Sequence, residues 1–242
     1  MYTQEQLVKQ LRDMGIVSTD VITIHSSLKA IGPVENRACG LIDALRTAVS
    51  EGLLLIPAHT YRNIRQTPVF DVRNTMPCIG TLPCIAVEQA NIAYDAQDPT
   101  CRRSLHPCHS VVAFGKNALE YIQDDLKATS PCPIFGSYGK LIKHHGKILL
   151  AGVGMVRNTF LHAVFEAFNT EPPQYPIDIL VKDYDGSETT RMTCLACGTG
   201  FENYLDILDE SGALTYGKLG NADVIVCDAE KCYQTICAMQ NN

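Results

Sequence analysis

The stretch that decides the fold is DVITIHSSLKAIGPV, residues 20–34. Its first half is an uninterrupted apolar run, which is typical of a strand that is covered on both faces. The run ends in a polar His-Ser-Ser triplet at positions 25–27. Either Ser26 or Ser27 is suited to cap a short helix that begins at Leu28. The segment therefore predicts a buried strand that leads through a polar turn into a helix.

This polar turn permits two interpretations. Backbone N–H groups at a helix start, two hydroxyl groups and the nearby Lys29 together suit a small anion. The alternative is an ordinary capped helix with a solvent-exposed lysine, because serine caps are common and lysine is mostly exposed. The segment alone leaves both interpretations open.

Similar apolar runs recur along the chain, and helical patterns separate several of them. The further runs lie at 53–58, 111–115, 148–154 and 223–228. This alternation predicts an α/β fold, a three-layer α/β/α sandwich. We expect residues 1–242 to form a single domain that carries an exposed hairpin insertion near 177–193. Asp185-Gly186 is suited to the turn of that hairpin.

The composition excludes several classes of protein. The chain has 242 residues, 46% of them apolar, and a net charge of −6, so nothing favours nucleic-acid binding. The opening segment 1–16 is amphipathic rather than a signal peptide, and no apolar run reaches the roughly 18 residues of a membrane span. Eleven cysteines, an odd number, indicate reduced thiols in a cytoplasmic protein. We expect no membrane partner.

Cys194 and Cys197 form a C-x-x-C pair that raises the question of a metal. A structural zinc ion needs four ligands, and no second pair with suitable spacing is present. A redox pair is also disfavoured, because the segment does not open a helix after a first strand. We therefore expect no metal cofactor.

Further loops beside apolar strands carry glycine, lysine and histidine. The loop 130–141 contains two glycines that permit close approach of a ligand to the backbone. In α/β sheets, ligands bind at the carboxyl ends of strands. His162 lies four residues before Glu166 on a predicted helix, so the two side chains share one face. They are either a base with an orienting carboxylate or an ordinary surface pair.

The ordered set of motifs resembles the aminoglycoside 3-N-acetyltransferase family, whose α/β fold is distinct from that of GNAT acetyltransferases. The resemblance extends from about Leu7 to about Val226. The matching motifs are DVITIHSSLKAIGPV, LLLIPAHTY, FDVRNTMPCIGTLP, RRSLHPCHSVVAFG, IFGSYGKL, KILLAGVGMVRNTFLH and YGKLGNADVIV. The resemblance implies an acetyl-CoA-dependent N-acetyltransferase that acts without a covalent enzyme intermediate.

The resemblance also implies roles for individual residues. A histidine general base would be His162, with Glu166 and His59 as further catalytic candidates. The expected contacts to coenzyme A are Ser26, Ser27, Lys29, Ser104, His106, Phe135 and Gly136. The expected contacts to the acceptor are Thr60, Tyr61 and His109.

Departures from the family pattern shape the expected substrate. Phe165 stands where many members carry a glutamate, and the chain has no tryptophan where resistance enzymes often have a Trp-Asp pair. Arg62 and Arg65 follow the AHTY motif and would repel a polycationic aminoglycoside. We expect a small-molecule amine acceptor, with an aminoglycoside-like one left open, and a monomer or homodimer. The alternative is a CoA-binding protein of the same fold with weak or lost transferase activity.

Overall fold

The computed structural model describes residues 1–168, 175–195 and 200–240. Its strands are β1 (Val21–Ser26), β2 (Leu53–Pro57), β3 (Val69–Asp71), β4 (Cys101–Arg103), β5 (Val111–Phe114), β6 (Lys147–Ala151), β7 (Tyr175–Lys182), β8 (Glu188–Leu195), β9 (Leu214–Leu219) and β10 (Ala222–Asp228). Its α-helices are α1 (Gln4–Asp13), α2 (Leu28–Ile31), α3 (Arg37–Ala48), α4 (Tyr61–Gln66), α5 (Thr81–Asp95), α6 (Ala118–Ile122), α7 (Lys140–Lys143), α8 (Phe160–Ala167), α9 (Leu205–Glu210) and α10 (Ala229–Gln240).

Seven strands form the central sheet, in the order β4-β5-β2-β1-β6-β10-β9. The three middle strands β2, β1 and β6 run parallel, and the strands on either side pair antiparallel. The carboxyl ends of β1, β2 and β6 therefore meet at one edge of the sheet. Ligands of α/β proteins bind at such an edge.

Alternating residues of the middle strands point to two separate cores. Ile22 and Ile24 join the core that includes α1, α3 and α5, whereas Val21 joins the core that includes α6 to α10. In the same way, Leu149 faces the first core and Leu150 the second. Because side chains alternate between the faces of a strand, a run that is apolar throughout requires helices on both sides. The result is three layers.

A second, three-stranded sheet has the order β3-β7-β8. β7 and β8 form a hairpin whose turn contains Gly186, with φ 84°. The hairpin is not free of the rest of the molecule, because β7 pairs parallel with β3. Ile179 and Val181 are buried in a third core that also contains Ile64 of α4. The second sheet thus lies against the segment that follows β2.

Candidate functional site

A cavity of about 710 Å³ opens at the carboxyl ends of β1, β2 and β6. β1 contributes Ser26 and the adjoining Ser27, and the segment after β2 contributes His59 and Tyr61. His162 of α8 reaches the cavity from the segment after β6. Six predicted site residues therefore line one cavity: Ser26, Ser27, His59, Tyr61, His109 and His162.

The polar turn after β1 is held by hydrogen bonds of its own. Ser27 caps α2, as predicted, because its Oγ accepts a hydrogen bond from the backbone N–H of Ala30 over 3.2 Å. The backbone N–H of Ser27 donates to the carbonyl oxygen of Ala151. The hydroxyl proton of Ser27 remains available to a ligand. Lys29 is exposed on α2 and does not line the cavity.

A close backbone approach brings the exit of β6 against α2. Gly152 has φ 65°, and a Cβ atom there would lie 2.3 Å from the Cβ of Ala30. Only glycine adopts this positive φ without strain and also leaves room for the Ala30 side chain. This contact fixes the loop after β6 beside the serine turn.

Three histidine side chains form a cluster along one wall of the cavity. The ring of His109 lies 4.9 Å from that of His59 and 6.3 Å from that of His162, measured between centroids. The Nε2 atom of His59 lies 2.6 Å from the hydroxyl of buried Tyr138. A neutral His59 can accept a hydrogen bond from the tyrosine hydroxyl at that nitrogen.

His106 supports this cluster from behind. Its Nδ1 atom accepts hydrogen bonds from the backbone N–H groups of Cys108 and His109, each over 3.1 Å. The proton of a neutral His106 is therefore on Nε2, which donates to the carbonyl oxygen of Ser130. His106 is 2% exposed and does not line the cavity, so the structure places it as a support for the loop that carries His109.

Burial holds most of these imidazoles in the neutral form. Burial, together with neighbouring histidines, lowers the pKa of His59 and of His109 well below the ordinary value. Burial and the charge of Arg157 lower the pKa of His25 to about 3. His162 is among the neighbours that oppose a positive charge on His59 and His109.

We expect the folded chain to lose stability as the pH falls below about 6.5, the ordinary pKa of histidine. The unfolded chain takes up protons on His25, His59, His106 and His109, whose pKa values are all lowered in the folded chain. Each such histidine lowers the free energy of unfolding by up to about 1.4 kcal/mol per pH unit in the interval between its two pKa values. Urea unfolding at pH 7.5, 6.5 and 5.5 measures this loss, and a constant unfolding free energy would contradict it.

Glu166 lies on α8 with its carboxylate directed at the 130–132 segment. Its Oε2 accepts a hydrogen bond from the hydroxyl of Ser130, and its Oε1 accepts one from the backbone N–H of Cys132, each over 2.5 Å. The carboxylate therefore fixes the loop whose Ser130 carbonyl oxygen accepts a hydrogen bond from His106. Phe165 is buried, and its ring stacks on that of Phe201, a residue that lines the cavity.

Four other predicted contacts do not line this cavity. Thr60 is fully buried, and its hydroxyl donates to the carbonyl oxygen of Pro107. Ser104 accepts a hydrogen bond from the backbone N–H of Val111 and lines a second cavity of about 670 Å³. Phe135 is 46% exposed, and Gly136 is buried beside Asp125. Thr60 thus joins the His59 segment to the 107–108 segment beside His109, whereas the structure places Ser104, Phe135 and Gly136 outside the lining of the cavity.

Sequence reasoning did not assign several residues that line the cavity to the site, and two of them carry nitrogen-containing side chains at strand ends. Arg157 lies in the 3₁₀ turn Met155–Arg157 after β6. Its position in a loop that follows a predicted strand is the sequence feature that could have indicated it. His25 is the second, and its Nε2 is buried without a hydrogen-bond partner in the described residues. The period of two along β1 places His25 on the same side as Val21 and Thr23, which could have singled it out.

No group of three or more His, Cys, Asp or Glu side chains that could hold a metal ion occurs within the described residues. Cys194 is a free thiol, whereas Cys197 lies outside those residues. Among the helices that the structure describes, none is long and apolar enough to cross a membrane.

Comparison with known proteins identifies the family of this chain. Residues 23–240 match the family model described as aminoglycoside 3-N-acetyltransferase. The chain belongs to that family. Aminoglycoside N(3)-acetyltransferase III of Serratia marcescens is 32% identical, over 67% of this chain and 63% of the relative. Aminoglycoside N(3)-acetyltransferase IV of Salmonella sp is 30% identical, over 66% of this chain and 58% of the relative. The chain thus spans less than two thirds of the length of these curated relatives.

Solved structures of family members share the fold. The apoenzyme of aminoglycoside acetyltransferase AAC(3)-IVa gives a TM-score of 0.77 at 24% identity. The match covers 98% of this chain and 88% of that one. AAC-IIIb in its binary complex with CoASH gives a TM-score of 0.78 at 21% identity, over 99% and 96% of the two chains. The predicted three-layer α/β fold of this family is confirmed.

Proposed function

We propose that the chain is an acetyl-CoA-dependent N-acetyltransferase that moves an acetyl group to a small-molecule amine. Family membership supports the reaction class, because the named relatives are aminoglycoside N(3)-acetyltransferases. A structural neighbour in a binary complex with CoASH supports the cofactor. The observation that carries the proposal is the partly exposed His162, which faces the cavity beside the buried histidines His59 and His109.

In the proposed reaction, His162 is the general base. When bound, acetyl-CoA supplies a thioester carbonyl; the amine nitrogen forms a bond to that carbon, and the carbon–sulfur bond breaks. His162 would take the proton that the amine loses and pass it to the departing thiolate. His59 and His109 are poorer bases, because burial lowers their pKa and with it their affinity for a proton. Their role in this proposal is to line the cavity and hold the reactants in place.

The cavity residues fit part of an acetyl-CoA molecule. The Nδ1 atom of His109 and the Nε2 atom of His25 are buried and have no hydrogen-bond partner in the described residues. Buried polar atoms are nearly always paired, and both residues line the cavity, so in this proposal polar groups of the bound molecule pair with these two atoms. The hydroxyl groups of Ser26 and Ser27 supply further donors at the same edge. Glu166 and His106 would act indirectly, by fixing the 130–132 segment.

The direct test is release of free thiol from acetyl-CoA in the presence of a panel of primary amines. We expect amine-dependent release, with the acetylated amine detected by mass spectrometry in equal amount. A tertiary amine of similar shape is the matched control, because it cannot form a stable amide. Release that is independent of every amine would contradict the proposal.

We expect acetyl-CoA to raise the melting temperature, because a ligand that binds only the folded chain stabilises it. At a ligand concentration of 100 times Kd the gain is about 2.7 kcal/mol, or roughly 5–11 °C for a chain of this size. Thermal denaturation with acetyl-CoA, CoA or adenosine alone measures the shift. No shift at millimolar acetyl-CoA would count against a CoA site.

A second candidate function is CoA binding without efficient transfer. Phe165 favours it, because a buried phenylalanine stands where the family resemblance leads one to expect a glutamate. This alternative predicts the thermal shift without amine-dependent thiol release. The two measurements above therefore separate the two functions.

A further inference from the structure

Three arginines line the candidate active-site cavity, and all three are exposed. Arg62 and Arg65 lie on α4, after β2, and Arg157 lies in the 3₁₀ turn after β6. Since β1 lies between β2 and β6, the arginines approach the end of β1 from both sides. Among the described residues that line the cavity there is no aspartate or glutamate. The cavity mouth is therefore positive, although the whole chain carries a net charge of −6.

These guanidinium groups differ from others in the protein. Arg73 forms a salt bridge with Asp95, and all the guanidinium nitrogens of Arg103 donate to oxygen atoms of the protein. In the part of the chain that the structure describes, no carboxylate lies within 4 Å of Arg62, Arg65 or Arg157. Unpaired cations at the mouth of a cavity attract anions and disfavour cations.

Arg62 and Arg65 are three residues apart on one helix, so their side chains emerge from neighbouring positions. Two adjacent guanidinium groups suit a carboxylate or a phosphate, which they can hold through charge-assisted hydrogen bonds. His59 and Tyr61, which begin the same segment, line the cavity interior. If α4 held an anionic group of a small molecule, the rest of that molecule would therefore extend into the cavity along His59 and Tyr61.

We propose that the acceptor is a primary amine that also carries a carboxylate or phosphate group, held by Arg62 and Arg65. This inference rests on the proposed N-acetyltransferase function and assigns its substrate class. A polycationic aminoglycoside would bring several positive charges to an already positive mouth. The arginines therefore select against such an acceptor and in favour of an anionic one.

The same cations could instead hold phosphates of coenzyme A. A thioester without phosphates, S-acetyl-N-acetylcysteamine, separates the two roles. If Arg62 and Arg65 hold the acceptor, then replacing both by glutamine raises KM for the amine with either thioester. If they hold the cofactor, then the replacement raises KM for acetyl-CoA alone, and the inference is overturned.

The experiment compares matched pairs of amines in the thiol-release assay. The pairs are β-alanine with β-alaninamide and phosphoethanolamine with ethanolamine, and the polycation is gentamicin. We expect the anionic member of at least one pair to have a kcat/KM about tenfold higher, the equivalent of one good charge-assisted interaction. The two pairs distinguish a carboxylate from a phosphate. The preference should disappear in the Arg62→Gln/Arg65→Gln variant and persist in Arg46→Gln, which changes an exposed arginine on α3.

The outcomes separate the inference from the proposed function. Turnover with gentamicin or with the neutral amines, and no preference for the anionic ones, overturns the inference and leaves the N-acetyltransferase function standing. Absence of thiol release with every amine, including gentamicin, overturns both. A preference for anionic amines that 0.5 M salt weakens supports the proposed electrostatic origin.

Discussion

Replacing His162 by glutamine is expected to lower kcat of amine acetylation by about 10²- to 10⁴-fold, the usual contribution of a general base. Glutamine is a good helix former, so α8 should persist. The ring of His162 packs edge-on against Phe201 with 4.7 Å between the centroids, and glutamine fills part of that space. Acetyl-CoA should still raise the melting temperature of the variant, because the proposed cofactor contacts are other residues.

A matched control is His144→Gln, which changes an exposed histidine at the end of α7. This variant should retain full activity. If His162→Gln kept more than a tenth of the activity and His59→Gln lost it, the base would be His59.

The central sheet could be predicted because its middle strands are continuous apolar runs in the sequence. β1, β2 and β6 are apolar on both faces, and only strands between two helical layers need such sequences. Strands β4 and β9 lie at the two edges of the sheet and escaped prediction. β4 is only three residues long and reads Cys-Arg-Arg, and β9 exposes three of its six side chains. Edge strands with charged or exposed residues resemble loops in a sequence.

The site could be predicted only in part, because motif order does not encode which way a side chain points. His106 and His109 lie three residues apart in one motif, yet only His109 lines the cavity. The backbone N–H groups of Cys108 and His109 donate to the ring of His106 and hold it within the loop, outside the lining of the cavity. In the same way, the i,i+4 spacing of His162 and Glu166 gives no information about the 130–132 loop. There the Ser130 hydroxyl and the Cys132 backbone N–H donate hydrogen bonds to the Glu166 carboxylate. Long-range partners of this kind become visible only in the folded chain.

Arg103 is the residue whose replacement should destabilise the chain most. It is 1% exposed and donates to Ser110 Oγ and to the carbonyl oxygens of Ala58, Val72 and Thr75, over 2.7–3.2 Å. Its guanidinium group also lies 4.8 Å above the ring of Phe70. Methionine matches its length but removes all four hydrogen bonds; Ser110 Oγ and the Ala58 oxygen still pair with each other, whereas the carbonyl oxygens of Val72 and Thr75 lose this donor. We expect a cost of about 3–5 kcal/mol in total.

For a chain of this size, that loss lowers the melting temperature by roughly 6–20 °C. Arg103→Lys keeps a charge but cannot reach all four acceptors at once. Its free energy of unfolding should therefore lie between those of the wild type and Arg103→Met. Arg46→Met is the matched control, since its exposed side chain should change the free energy of unfolding by less than about 1 kcal/mol. Urea unfolding measures all three variants. If Arg103→Met were as stable as Arg46→Met, the buried guanidinium group would not hold the end of β2 in place. Ala58 directly precedes His59, and loss of its hydrogen bond to Arg103 should let the His59 wall of the cavity shift. Arg103→Lys should therefore also reduce kcat, even at a temperature where the variant is fully folded.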